Sequence, residues 1–286
     1  KITDPKLCFR FNSAHLSNIT VQKSPSWLID RLEAYGIKTI NSLVDITNFV
    51  MVEYGQPLHA FDFQKLPAKE LTVRLAQKNE NIVVLGNKKI QLHLDDLIIT
   101  SKGMPVALAG IIGGEETSID QNTTEILLEA ATYNQANIRR TSIRHSLRTE
   151  ASTRLEKFLH PKSTEVALLR SIELLKEICG AKVVDFNDQY PKKWKEKTLT
   201  LSEDRLNLLA GFQITIKEAS LVLKKLGFTV TSKLHSLETQ VPYFRTDIEQ
   251  EDDLIEEVIR IVGYDQIPNT SLSNPQIKFN DSPVFV

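Results

Sequence analysis

Hydrophobic positions recur at helical spacing early in the chain. Trp27, Leu28, Leu32 and Tyr35 follow Ser24-Pro25-Ser26 and stop at Gly36. Proline near the first turn and glycine past the last mark this as an amphipathic helix. A second helix opens at Asn41 or Ser42, carries Leu43, Val44, Ile46, Thr47 and Val50 to Tyr54, and is stopped by Gly55 and Pro57. Residues 1–21, ahead of both, read as irregular chain and strand. Between 71 and 109 the pattern changes to short β runs, LTVRLA, NIVVLG, KKIQLHL, DLIITS and PVALAG, separated by Asn, Gly and Asp turn residues. Helical spacing returns over 163–179, where Val166, Leu168, Leu169, Ile172, Leu175 and Ile178 precede Gly180.

The polar, proline-bearing and basic stretch NDQYPKKWKEK, residues 187–197, places a domain boundary there. A smaller unit follows. A strand over 198–201 meets Ser202 as a cap, a helix runs 203–210 to Gly211, and Thr215 with Glu218 forms a capping box for a helix carrying Ala219, Val222, Leu223 and Leu226. Residues 228–232 and 237–244 alternate enough to form a hairpin. Two short helices and a hairpin resemble a winged helix, a shape often used on DNA. The second helix offers only Lys217, Lys224 and Lys225, with no cluster of base-reading side chains, which argues against DNA. The tail from Asn269 reads as a linker. The expected fold is therefore α+β: a sheet-rich module with flanking helices over 1–190, a small winged-helix-like α+β module over 198–268, and a linker over 269–286.

Composition adds exclusions. The chain has 286 residues, 41% apolar and 25% charged, ordinary for about two soluble domains. No apolar run approaches the ~20 residues needed to span a bilayer, and no signal peptide is visible, so a cytoplasmic protein is expected. Cys8 and Cys179 lie far apart and form neither a disulfide framework nor a zinc pattern. The net charge of −1 confines any nucleic-acid contact to a local patch. The chain begins at Lys1 without methionine, so it is expected to be a piece of something longer.

Three stretches carry candidate chemistry. Residues 124–154 set one acid, Glu129, beside a run of basic and hydroxyl residues. Glu129 ends the apolar run 126–128, which would deliver its carboxylate at the mouth of a core, where desolvation makes it selective in its partners. Arg139, Arg140, Arg144, His145 and Arg148 then precede the small-residue turn at Thr149, Glu150, Ala151 and Ser152; they either meet phosphates or solvate a helix face. His59 falls in the Gly/Pro-rich segment GQPLHAFDF, read as a loop, and Asp62 in the same segment reads as a turn residue. Gly110, Gly113 and Gly114 match no nucleotide-binding pattern and make either a tight turn or a backbone wall facing a ligand. On the last helix Asp253, Glu256 and Glu257 share a face within about 60°, opposite Leu254, Ile255, Val258, Ile259 and Val262. With Asp247 they would surround a hard cation, or pair with Arg260 on the same face, which geometry alone favours.

The segments SPSWLIDRL, GIKTINSLVDITNFVMVEYGQPLHAFD, ALAGIIGG, LLEAATYNQANIRRTSIRHSLRTEASTRLEK and FRTDIEQEDDLIEEVIRIVGYDQIP together resemble the bacterial phenylalanyl-tRNA synthetase β subunit. The resemblance covers nearly the whole chain and corresponds to an internal piece: the editing module, then the small module after it. It implies a part of phenylalanine-tRNA ligase that hydrolyses tyrosine wrongly esterified to tRNA(Phe), while the parent enzyme charges that tRNA using ATP. The implied partners are tRNA(Phe) and the α subunit of an α2β2 assembly. ATP is expected at the α subunit and not here. By the resemblance His59 holds or polarises the water, Gly110 is pocket wall, Glu129 recognises the tyrosine hydroxyl, and Thr149 and Ala151 shape the pocket. It also implies that Asp247, Asp253, Glu256 and Glu257 form a Mg2+ site shared with α. One departure is the segment FRFNSAHLSN, which is less basic than the resemblance implies. Two other classes stand beside this reading: a non-catalytic scaffold for tRNA and the α subunit, and a DNA-binding winged-helix protein. The hydrolytic chemistry suits the residues, because an aminoacyl ester is already activated and needs an oriented water and oxyanion stabilisation more than a strong nucleophile.

Overall fold

In the computed structural model, residues 1–269 are described and fall into two compact units, Lys1–Lys195 and Glu196 onward. The expected linker lies, from residue 270, outside the described residues. The first unit runs β1 (Cys8–Ser17), α1 (Ser26–Tyr35), α2 (Ser42–Tyr54), β2 (Leu58–Asp62), β3 (Thr72–Leu75), β4 (Asn81–Val84), β5 (Lys88–Gln91), β6 (Leu97–Ser101), β7 (Met104–Leu108), β8 (Ile112–Gly113), β9 (Ile126–Tyr133), α3 (Gln135–His145), α4 (Glu150–Leu155), α5 (Lys162–Cys179) and β10 (Lys182–Gln189). The second runs β11 (Thr198–Ser202), α6 (Glu203–Ala210), α7 (Ile216–Lys225), β12 (Thr229–Ser232), β13 (Ser236–Gln240) and α8 (Glu251–Val262).

Two four-stranded sheets build the first unit, in the orders β10-β1-β9-β2 and β3-β6-β7-β8, with β4 and β5 as a separate hairpin. β9 is buried along its whole length because each face meets a core. Leu127, Ala131 and Tyr133 pack with Phe11, Phe61 and the second sheet, whereas Ile126, Leu128 and Ala130 pack with α2 and α5 through Leu43, Ile46, Leu168 and Leu175. Side chains two apart in a strand share a face, so Glu129 projects into the layer between the two sheets.

That placement corrects the expectation of a carboxylate at the mouth of a core. The strand does not end at Glu129, because Ala130, Ala131 and Thr132 continue it between the two cores. The segment GQPLHAFDF is also not wholly a loop: Leu58–Asp62 forms β2 and pairs antiparallel with β9. Gln56 closes the approach to this strand by donating from Nε2 to the Ala131 carbonyl at 2.9 Å. Asp62 acts as a turn residue, with Oδ1 accepting from the Gln64 amide at 2.9 Å. β10 has no counterpart in the sequence reading; it is an edge strand with exposed side chains, so burial leaves no period in its sequence. The helix ends obey local rules. Asn41 Oδ1 caps α2 by accepting from the Leu43 and Val44 amides.

The second unit packs α6, α7 and α8 against a three-stranded antiparallel sheet, β11-β13-β12, around Leu201, Leu206, Leu223, Leu237, Leu254 and Val258. The capping box at Thr215 and Glu218 is present. Ser202 stands at the cap of α6, but its hydroxyl donates to Glu251 Oε1 at 2.7 Å and does not accept from the helix. Among the described residues, no helix is long and apolar enough to cross a membrane.

Candidate active site

Strand register assembles the site. Asn187, Ser13, Glu129 and His59 are successive cross-strand partners over β10, β1, β9 and β2, so one polar row crosses the face of the sheet that looks toward the second sheet. At the His59 end lies a cavity of about 70 Å³, lined among others by His59, Gly110, Gly113, Glu129, Tyr133 and Ala151. Such a volume holds several water molecules at ~10–15 Å³ each.

Glycine is required at two points of the wall. A Cβ on Gly113 would lie 2.3 Å from His59 Cε1 and 2.6 Å from Nε2, so the imidazole rests directly on backbone. Gly110 has φ +67°, where a side chain is strained, and a Cβ there would come within 2.9 Å of the Tyr133 ring. The glycine segment therefore turns tightly at Gly110 and lines the cavity at Gly110 and Gly113.

The electrostatics follow from burial without a cation. Glu129 is 6% exposed, and its hydrogen bond comes from the Tyr133 hydroxyl, 2.7 Å from Oε1. Burial pushes the carboxyl up to about 7, with the Tyr133 bond pulling the other way. The Tyr133 phenol is raised in turn, first by burial and then by Glu129. His59 Nε2 is buried and has no hydrogen-bond partner among the described residues. Burial lowers this imidazole to about 4, so it is neutral at pH 7. Its ring also meets the edge of Phe61, with centroids 4.4 Å apart.

Tyr133 is the residue the sequence reading missed. The signal was available, because a residue four after Glu129 in one strand shares its face. Thr149 does not line the cavity. Its hydroxyl donates to the Ile111 carbonyl at 2.8 Å and accepts from the Ser152 amide at 3.0 Å, tying the start of α4 to the glycine segment. His59, Gly110, Glu129 and Ala151 thus meet at one cavity, and Thr149 braces two of its walls.

The four acidic residues of the second unit do not meet. Arg245 forks onto Asp247, with Nη2 to Oδ2 at 2.6 Å, and also reaches Glu257 Oε2 from Nη1 at 2.9 Å. Arg260 adds a second contact to that same Glu257 oxygen at 2.6 Å. Asp253 accepts from the amides of Glu249 and Gln250, at 2.7 and 2.9 Å, as the N3 member of the capping box whose N-cap is Gln250. Glu256 is exposed, whereas Glu257 is buried. Among the described residues, no group of three or more metal-ligating side chains is placed to hold an ion. As arranged within this chain, Asp247 and Glu257 face guanidinium partners, Asp253 faces backbone amides, and the four carboxylates are not gathered to hold a Mg2+ ion. The ion pairing with Arg260 that the helix face suggested is present at Glu257.

Comparison with known proteins places this geometry in a family. The B3/4 domain family matches residues 7–180, and the tRNA synthetase B5 domain family matches residues 199–264. The phenylalanine–tRNA ligase beta subunit of Gloeobacter violaceus is 42% identical over 272 residues, 94% of this chain and 34% of that protein. The corresponding subunit of Geobacter sulfurreducens is 40% identical over 284 residues, 99% of this chain and 35% of that protein. That of Carboxydothermus hydrogenoformans is 37% identical over 271 residues, 94% of this chain and 34% of that protein. The chain spans about a third of the length of these curated relatives.

Proposed function

Since the chain belongs to the phenylalanine–tRNA ligase β-subunit family, with a B3/4 domain followed by a B5 domain, we propose that its first unit hydrolyses tyrosyl-tRNA(Phe) at the His59–Glu129 cavity. The observation that carries this reading is the direct cross-strand pairing of His59 with Glu129 on the floor of that cavity. In the reaction a water oxygen bonds to the ester carbonyl carbon, the bond to the ribose oxygen breaks, and the water proton ends on that ribose oxygen. Neutral His59, at about 4, is too weak a base to keep a proton. It accepts a hydrogen bond and orients the water. Glu129 sets the specificity: Tyr133 occupies Oε1, and the other oxygen has no hydrogen-bond partner among the described residues, so it is free to accept the phenolic proton of a tyrosyl group. A site built to bond a hydroxyl discriminates far better than an apolar pocket asked to reject one.

On this reading the synthetic reaction and its ATP belong to the α subunit, and tRNA(Phe) and α are the partners in a cytoplasmic α2β2 enzyme. A shared Mg2+ site would need Arg245 to release Asp247 and Glu257. The scaffold alternative draws its support from Tyr133, whose phenol already takes up one of the two Glu129 oxygens.

The test is deacylation of tyrosyl- and phenylalanyl-tRNA(Phe) by the αβ enzyme, read as kcat/KM ratios. A hydrogen bond to a charged acceptor is worth ~1.5–3 kcal/mol. Glu129→Ala therefore lowers the tyrosine preference roughly ten- to a hundredfold. His59→Ala slows tyrosyl-tRNA hydrolysis and keeps most of the preference. A ratio untouched by Glu129→Ala removes Glu129 as the specificity element, and an enzyme that deacylates neither ester leaves the scaffold reading.

A further inference from the structure

The basic run around α3 divides into two kinds of side chain. Arg144 and His145 both face Asp96, which is fully buried, so they are structural. Arg139 and Lys157 are exposed and pair with no carboxylate among the described residues. With Arg148 they line a groove of about 530 Å³ along α3 and the end of α4, together with Ser146 and Ile143. The groove sets three cations against one carboxylate, Glu156, which lies 3.2 Å from Arg148. Ile143 is 68% exposed, an apolar surface in a basic setting.

We propose that this groove binds the phosphodiester backbone of the RNA whose aminoacyl end enters the His59–Glu129 cavity, an inference that rests on the hydrolytic reading above. Continuity supports the link. Ala151 and Leu155 of α4 line the cavity, and Glu156 and Lys157, next along the chain, line the groove. Six helical residues span only about 9 Å, and a nucleic-acid strand offers a phosphate every ~3.4 Å of duplex axis, so one short stretch of backbone reaches both. The Arg139 guanidinium and Lys157 ammonium, with no carboxylate partner among the described residues, and the exposed Ser146 hydroxyl suit phosphate oxygens, and the exposed Ile143 suits a sugar or base face. The overall charge of −1 makes the local excess of cations the feature that requires explanation.

The experiment measures tRNA(Phe) binding to this chain at several salt concentrations, for the wild type, for Arg139→Gln/Lys157→Gln and for Arg140→Gln. Arg140 is an equally exposed cation of α3 that does not line the groove. The double variant is expected to lower the slope of log K against log salt by about one unit per lost phosphate contact, close to two in all. Arg140→Gln is expected to leave the slope in place. The same proteins are assayed on the tyrosyl ester of adenosine, which has no phosphates to dock; the double variant should hydrolyse it within about twofold of wild type while its KM for tyrosyl-tRNA rises at least fivefold. A double variant that keeps the wild-type slope overturns the groove, as does an Arg140→Gln variant that loses as much slope. If the wild type hydrolyses neither ester while the slope falls as expected, the hydrolytic reading fails and the RNA-binding groove stands.

Discussion

Glu129 and Glu257 are both buried glutamates, 6% and 7% exposed, and their surroundings treat them in opposite ways. Glu129 has a phenol for a neighbour and is pushed up to about 7 by burial. Glu257 has two guanidiniums, and the hydrogen bond from Arg245 holds it below the ordinary carboxylate range despite burial. Exposure alone therefore does not say whether an acid is charged, because the identity of its partner decides. A buried acid without a cation, beside a cavity, is poised for ligand chemistry, whereas an acid clamped by arginines is committed to holding the fold together. Both acids occur in stretches where the sequence sets carboxylates near basic residues, and only the structure separates the two cases.

The largest expected effect reverses sign between the two glutamates. Glu129 ionises near 7 when folded against 4.5 for a free side chain, so its contribution to stability is fully present below 4.5 and is lost as pH rises through about 7. Replacing it with neutral glutamine removes that loss. Glu129→Gln should therefore be more stable than wild type by about 3 kcal/mol at pH 8, with the gain gone at pH 4.5. His59 runs the other way: lowered from 6.5 to about 4, it contributes stability above 6.5 that is lost as pH falls through 4. The two nearly cancel between 4.5 and 6.5 in the wild type, and Glu129→Gln exposes the histidine's rise. Glu257→Gln, by contrast, should destabilise at pH 8, because it removes the partner of Arg245 and Arg260. Urea denaturation at pH 4.5 and pH 8 reads both. Variants that shift in the same direction at pH 8 would break the comparison.

Tyr133→Phe sharpens it. The substitution leaves Glu129 Oε1 without its donor, which costs about 2 kcal/mol at pH 8, where the acceptor is charged. It also removes the hydrogen bond that holds the Glu129 carboxyl down, so this carboxyl ionises at still higher pH. An ionised carboxylate accepts a phenolic proton more strongly than a neutral carboxyl, so wild-type preference for the tyrosyl ester should rise as pH passes through about 7. In Tyr133→Phe that rise should move to higher pH. A pH profile of the kcat/KM ratio that keeps its midpoint in the variant would show that Tyr133 does not set the charge of Glu129.

Local chemistry explains what the sequence disclosed. Asn41 as a cap, the Thr215 and Glu218 box and the glycine stops are contacts within a few residues, and pattern alone reaches them. Non-local pairing explains the rest. β2 looked like a loop because Gly55 and Pro57 precede only five paired residues, and its strand character comes from β9, far along the chain. The His59–Glu129 register is likewise a property of the sheet; the residues marked each as a separate candidate, Glu129 beside a basic run and His59 in a Gly/Pro-rich segment, and only the resemblance put the two in one pocket. Arg245 was overlooked for a simpler reason. Counting carboxylates along one helix face left out a cation two residues before Asp247 that bonds two of them.

The smallest expected effect concerns that cation. Arg245 already supplies positive charge to Asp247 and Glu257, so a Mg2+ ion would have to displace a guanidinium held by contacts of 2.6 and 2.9 Å. Millimolar Mg2+ should leave the unfolding midpoint of the wild-type chain unchanged. Arg245→Gln should cost about 1 kcal/mol, since this is an ion pair near the surface that solvent partly screens. It also leaves Asp247 without its clamp and Glu257 with Arg260 alone. Mg2+ should then stabilise the variant by about 0.4 kcal/mol at a concentration equal to its dissociation constant. Thermal melts with and without Mg2+, for wild type and variant, make the measurement. If Mg2+ raises the wild-type midpoint as much as the variant's, Arg245 does not exclude the ion. The acidic end of α8 would then be open to a metal as the His59–Glu129 cavity is open to a ligand, and the contrast between the two glutamates would rest on charge alone.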